Sequence, residues 1–172
     1  LAKFRHPNIV LLVGICSVPP NLAIVTEYIE RGSLYDLLHK KKVQFLTDKR
    51  KIVKQVLSSI AYLHEHDVVH RDIKSHNFLV DENLTVNFAI LGLQETNKVE
   101  SRINAIQWNS NLYGSIIVLK KSYDQSVDVF ALGTLLYEIY TGDIPYYGLD
   151  AADIKDKILK DPSLPVKGGI TK

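Results

Sequence analysis

The chain has 172 residues, 46% of them hydrophobic and 23% charged. That is enough apolar material for one compact core and excludes a disordered composition. The net charge of +2 argues against nucleic acid or an anionic membrane as the main partner, so the lysine-rich runs at 40–42 and 49–51 read as solvated helix ends.

Two short apolar runs rich in β-branched residues, Ile9–Ile15 and Leu22–Tyr28, open the chain. Ser-Val-Pro-Pro-Asn (17–21) separates them, and two prolines in five residues forbid a continued strand or helix, which predicts a hairpin connection. Cys16 is the only cysteine, so neither an intrachain disulfide nor a zinc cluster can form. Its apolar flanks predict a buried, inert thiol. Gly32-Ser33 then opens a helix, with Ser33 as N-cap and Asp36 three residues on in a capping-box pattern. Leu34, Leu37 and Leu38 give that helix its apolar face.

Thr47 is a candidate cap for the next helix, in which Ile52, Val53, Val56, Leu57, Ile60, Ala61 and Leu63 recur at helical spacing. The loop HRDIKSHN (70–77) follows, and then two very short strands, Phe78–Val80 and Leu84–Phe88, around the turn Asp81-Glu82-Asn83. Residues 94–115 are polar and irregular, a loop long enough to suggest a role in function. Ser126–Tyr140 is apolar over most of its circumference, which predicts a helix at the centre of a domain. Gly142 is the expected C′ residue of that helix. A last helix starts at Asp150 or Ala151, and Pro162 and Pro165 close it off. A small β piece followed by a helical body makes the fold class α+β.

No signal peptide is visible, and the most apolar segment, 127–140, contains Asp128 and Glu138 and is too short to span a bilayer. The chain begins at Leu1 and contains no methionine, so it is expected to be part of a longer reading frame. A cytoplasmic (intracellular) location is expected.

HRDIKSHN gathers an acid, a lysine and an amide in one tight loop, a set that can handle a hydroxyl and a phosphate. With its neighbours it also resembles a known family. HRDIKSHNFLV is similar to the catalytic loop of eukaryotic protein kinases. FRHPNIVLLVGIC resembles the entry to the family's fourth strand, and IVTEYIERGSLYDLL its hinge and the helix after it. SVDVFALGTLLYEIYTGDIPY resembles its central helix. The hinge, the VDEN turn and Lys74 resemble the tyrosine-kinase-like (Raf and mixed-lineage) group of Ser/Thr kinases.

The resemblance implies a kinase-like fold in which 1–28 are the last small-lobe strands and hinge entry, and 29–172 a large lobe lacking its final helices. It implies ATP and magnesium as cofactors and a protein as substrate or partner. Asp72 would accept the hydroxyl proton, Lys74 would hold the γ-phosphate and Asn77 would bind a magnesium ion. His70 would be a structural post, Arg71 a receptor for a phosphate or carboxylate, and Asp128 an acceptor of catalytic-loop amides. Thr26 would be the gatekeeper, the backbone of Glu27 and Ile29 would meet adenine, and Leu79 would lie under it. Thr96, Ser101 and Ser110 in the long loop are candidate phosphorylation sites, against the plainer reading of solvated hydroxyls.

The sequence departs from the family's pattern in three places. VDENLTVNFAILGL aligns Ile90-Leu91-Gly92 with the metal-binding Asp-Phe-Gly, and Ile90 lies 18 residues after Asp72. The other register, Asn87-Phe88-Ala89, needs a deletion and also lacks the aspartate. Ser115-Ile116-Ile117 stand where Ala-Pro-Glu belongs. No Gly-rich loop, strand lysine or partner glutamate lies in this chain. The expectation is a pseudokinase with weak or absent ATP and magnesium binding. An active Ser/Thr kinase with an atypical metal site and a degenerate, non-functional fragment are the alternatives.

Overall fold

The computed structural model describes residues 4–40, 49–90, 125–161 and 163–164. The fold is α+β, and the chain divides into two units, Leu1–Thr96 and Asn97–Lys172. Thr47, Pro162, Pro165, Leu91, Gly92, the 94–115 loop and Ser115–Ile117 lie outside the described residues.

In the first unit, β1 (Leu12–Cys16) pairs antiparallel with β2 (Ala23–Thr26), with a register irregularity between Leu12 and Gly14. The proline-containing connection turns tightly, Asn21 N–H donating to Val18 O. Both strands are shorter than the apolar runs that announced them. The expectation for Cys16 is overturned: it is exposed. Val13 is 65% and Ile15 63% exposed as well. Apolar flanks set strand propensity, but burial needs a second layer, and among the described residues none covers this hairpin.

The capping box forms as read. Asp36 N–H donates to Ser33 Oγ at 3.1 Å, and Ser33 N–H reaches back toward Asp36 Oδ2 at 3.4 Å. The turn beyond it, Asp36–Lys40, widens to the π-helical form. Leu34 and Leu37 are buried there, and Leu38 is half-buried.

Helix α1 (Lys49–Glu65) buries Ile52, Val56, Ile60 and Leu63, while Leu57 and Ala61, counted with the apolar face from spacing, are exposed. Their position one residue on from Val56 and Ile60 rotates them about 100° off the core stripe.

Beyond α1, β3 (Phe78–Val80) and β4 (Val86–Phe88) form a second antiparallel pair. Two extended segments widen it. Arg31 N–H donates to Val80 O and Val80 N–H to Gly32 O on the β3 side. On the β4 side, Val10 N–H donates to Phe88 O and Phe88 N–H to Asn8 O. Three residues per strand make little core alone; flanking backbone on both edges satisfies their polar groups and lets Phe78, Val80, Val86 and Phe88 be fully buried.

A polar splint ties this sheet to α1. Gln55 Oε1 accepts from Val86 N–H and from Asn8 Nδ2, both at 3.0 Å. Asn8 Nδ2 also donates to Val86 O at 2.9 Å.

In the second unit, α2 (Ser126–Thr141) ends at Gly142, whose φ of 72° is the left-handed C′ conformation expected there; its N–H donates to Glu138 O. The helix is buried mainly along one face, through Val127, Asp128, Ala131, Thr134, Leu135, Glu138 and Ile139, while Val129 is 58% exposed. An apolar circumference thus translates into one-sided burial among the described residues. Helix α3 (Ala151–Lys160) is capped by Asp150, whose carboxylate accepts from Asp153 N–H, and packs Ile154 and Ile158 with Tyr146, Phe130 and Leu164. No described helix is long and apolar enough to cross a membrane.

Candidate functional site

The loop 70–77 runs from the exit of α1 to β3, so both of its ends are anchored in the core of the first unit. His70 is buried, and its ring packs on Phe88 with centroids 4.4 Å apart; Phe88 in turn stacks on Phe78 at 4.2 Å. His70 Nδ1 accepts the N–H of Asp72 at 3.2 Å. Arg71 is held at φ 66°, a left-handed backbone that costs a branched or bulky L-residue of order 1 kcal/mol or more and that turns the chain sharply before Asp72. Ile73 is fully buried and pins the loop between Asp72 and Lys74.

This anchoring brings the three polar side chains to one point. Lys74 Nζ lies 2.9 Å from Asp72 Oδ2, and Asn77 Nδ2 donates to the same oxygen at 3.0 Å and to Asp72 O at 2.7 Å. A single turn of 3₁₀ helix, Ser75–Asn77, closes the loop, with Asn77 N–H donating to Lys74 O. The Asp72 and Lys74 side chains are 42% and 31% exposed, so the cluster opens to solvent on one side. A carboxylate held this way is a fixed proton acceptor beside a fixed cation, suited to a hydroxyl and an anionic group.

A magnesium ion calls for hard oxygen ligands in octahedral array. Because Asn77 uses its amide nitrogen on Asp72, its Oδ1 is left as an acceptor among the described residues, a hard oxygen in the same cluster as the Asp72 carboxylate. Ala89 N–H donates to Asn77 O at 2.8 Å, so Ile90 is the next residue along from a direct contact with the loop. Ile90 is 5% exposed and brings no oxygen. Among the described residues no group of three His, Cys, Asp or Glu side chains can hold a metal ion. Among the described residues, the side chain at position 90 therefore adds no ligand to the Asn77 amide oxygen. Asn87, the aspartate position in the other register, is paired with Leu79 inside the sheet.

At the other candidate positions, Thr26 Oγ1 donates to Glu27 O at 3.0 Å. Glu27 is fastened to Leu11 twice, N–H to Leu11 O at 3.0 Å and Oε1 to Leu11 N–H at 2.7 Å. Ile29 is half-buried just before the Arg31–Ser33 segment that pairs with β3. Leu79, half-buried on β3, forms a bridge with Ser33. Asp128 is buried in the first turn of α2, where a carboxylate is favoured by the helix N-terminus. Sequence reasoning passed over Asn8 and Gln55, which hold β4 beneath the loop. Their pairing spans 47 residues and leaves no local pattern to read.

A model of the protein kinase domain matches residues 1–167. The chain is 39% identical over 155 residues to a probable serine/threonine-protein kinase of Dictyostelium discoideum, covering 90% of this chain and 17% of that protein. It is 37% identical over 147 residues to a serine/threonine-protein kinase of Arabidopsis thaliana, covering 85% of this chain and 26% of that protein. A dual specificity protein kinase of Dictyostelium discoideum is 37% identical over 154 residues, 87% of this chain and 11% of the relative. The chain thus spans about a quarter or less of the length of these relatives.

Proposed function

The chain belongs to the protein kinase family, and from that premise we propose that it is a pseudokinase of the tyrosine-kinase-like Ser/Thr group, a binding or regulatory module rather than an efficient phosphotransferase. The observation that carries this reading is Ile90, a buried apolar side chain beside an otherwise complete Asp72–Lys74–Asn77 cluster. In the family an aspartate at that position holds the metal that bridges the nucleotide phosphates. Isoleucine offers nothing to a hard cation. Loss of one preorganised electrostatic element costs about 10²–10³ in rate, and loss of the main metal ligand costs at least as much. ATP and magnesium binding are accordingly weak, and a protein partner is the expected ligand.

The deciding experiment is a phosphotransfer assay with magnesium, alongside Asp72→Asn. Background transfer, unchanged by Asp72→Asn, supports the pseudokinase. Metal-dependent phosphorylation that Asp72→Asn abolishes overturns it. The second reading, an active kinase with an atypical metal site, is favoured by the preserved geometry of Asp72, Lys74 and Asn77. Ile90→Asp tests the register on which the first reading depends: tighter magnesium–nucleotide binding is expected, and unchanged binding means that residue 90 is not the metal position.

A further inference from the structure

We propose that His6 is a pH-sensitive latch, which in its neutral form fastens the segment Phe4–Val10 to α1 and on protonation lets that segment go. Both ring nitrogens are engaged. Nδ1 accepts the N–H of Asn8 at 3.0 Å, and Nε2 lies 3.0 Å from Ser58 Oγ on α1. Accepting a backbone amide fixes the tautomer: Nδ1 carries a lone pair and Nε2 the proton, which goes to Ser58. A second proton can only enter at Nδ1, where it meets the Asn8 N–H head-on. Protonation therefore replaces a hydrogen bond with a donor–donor clash.

The groups facing His6 from α1 are Ser58, Tyr62, whose ring lies 4.9 Å away, and Glu65. His66 completes the cluster against Tyr62 and Phe4. On its own segment the neighbours are Arg5, whose N–H donates to Tyr62 Oη, and Asn8. Burial lowers the His6 pKa, and this outweighs the opposing attraction of Glu65. The sign follows: the latch is fully set above the unfolded-state value near 6.5 and is lost as pH falls through the lower folded value.

The consequence reaches the loop. Asn8 and Val10 hydrogen-bond Phe88, and Phe88 packs on His70. Releasing the segment frees one edge of β4, the strand on which the candidate site rests. The proposal stands independently of whether the chain transfers phosphate.

The test is an NMR titration of His6 Hε1 in the whole chain, combined with amide exchange at pH 5 and pH 7.5, corrected for intrinsic rates. His6 is expected to titrate below 6.5. Asn8 and Val10 amides are expected to lose protection in acid, up to tenfold per pH unit between the unfolded and folded values, while α1 amides keep theirs. In His6→Gln, which can accept from Asn8 and donate to Ser58 without titrating, the acid loss should vanish. A His6 pKa at or above 6.5 overturns the proposal even if that variant does not fold. So does equal acid loss in the two proteins.

Discussion

The Gln55 splint allows the most direct check on how the site is supported. Gln55→Ala removes the acceptor shared by Val86 N–H and Asn8 Nδ2. Asn8 keeps its bond to Val86 O, so its own loss is small. Val86 is only 1% exposed, and its N–H, pointing from β4 toward α1, has no replacement on the loss of Gln55. An orphaned buried donor costs about 1–3 kcal/mol, and a second bond lost with partial compensation adds about 0.5–1 kcal/mol. The carbonyls of Lys51 and Leu84, which accept from Gln55 Nε2, are near enough to solvent to recover water. The sum is about 1.5–4 kcal/mol. Urea unfolding should show it as a midpoint lowered on the order of 1 M, with unchanged slope. A loss below about 0.5 kcal/mol for Gln55→Ala would refute the reasoning.

The burial pattern of α1 predicts a contrast between two leucines: Leu63→Ala should cost about 2–5 kcal/mol and Leu57→Ala less than about 0.5 kcal/mol, read from the same urea curves. Similar costs would mean that the helix is rotated from its described position. Asp36 is held at a pKa of about 2 by hydrogen bonds from Lys40 and Ser33. Its contribution is present above about 4 and fades as pH falls toward 2; a carboxyl titration by NMR should find the low value, raised by 1 M salt as the Lys40 pair is screened. A value near 3.8 in dilute buffer would remove the capping pair from the account. Exposed Cys16 should react with a thiol reagent in the folded protein within about tenfold of its rate in denaturant, and strong protection would restore the buried reading.

Local signals in the sequence carried much of the outcome. A proline pair, a Ser-x-x-Asp cap, a glycine after an apolar helix and an Asp-Glu-Asn turn act over three or four residues, and each element they announced is present, within a few residues of its expected ends. The order of Asp72, Lys74 and Asn77 in one short loop likewise made their convergence legible, because a tight loop leaves their side chains little other volume to fill. Identity at position 90 was also written in the sequence, since the absence of a carboxylate there needs no coordinates.

Burial was a different matter. Cys16, Leu57 and Ala61 sit among apolar neighbours but face solvent, because what covers a residue is decided by elements far along the chain. The same holds for the supports of the site. Asn8 meets Gln55 and Val86 across 47 and 78 residues, and His6 meets Ser58 across 52. Such bonds obey no period, since loop closure brings the groups together and only then fixes their partners. The sequence by itself determined the elements, the family and the isoleucine at position 90; the tertiary structure decided which polar groups hold the loop in place and which apolar ones remain in water.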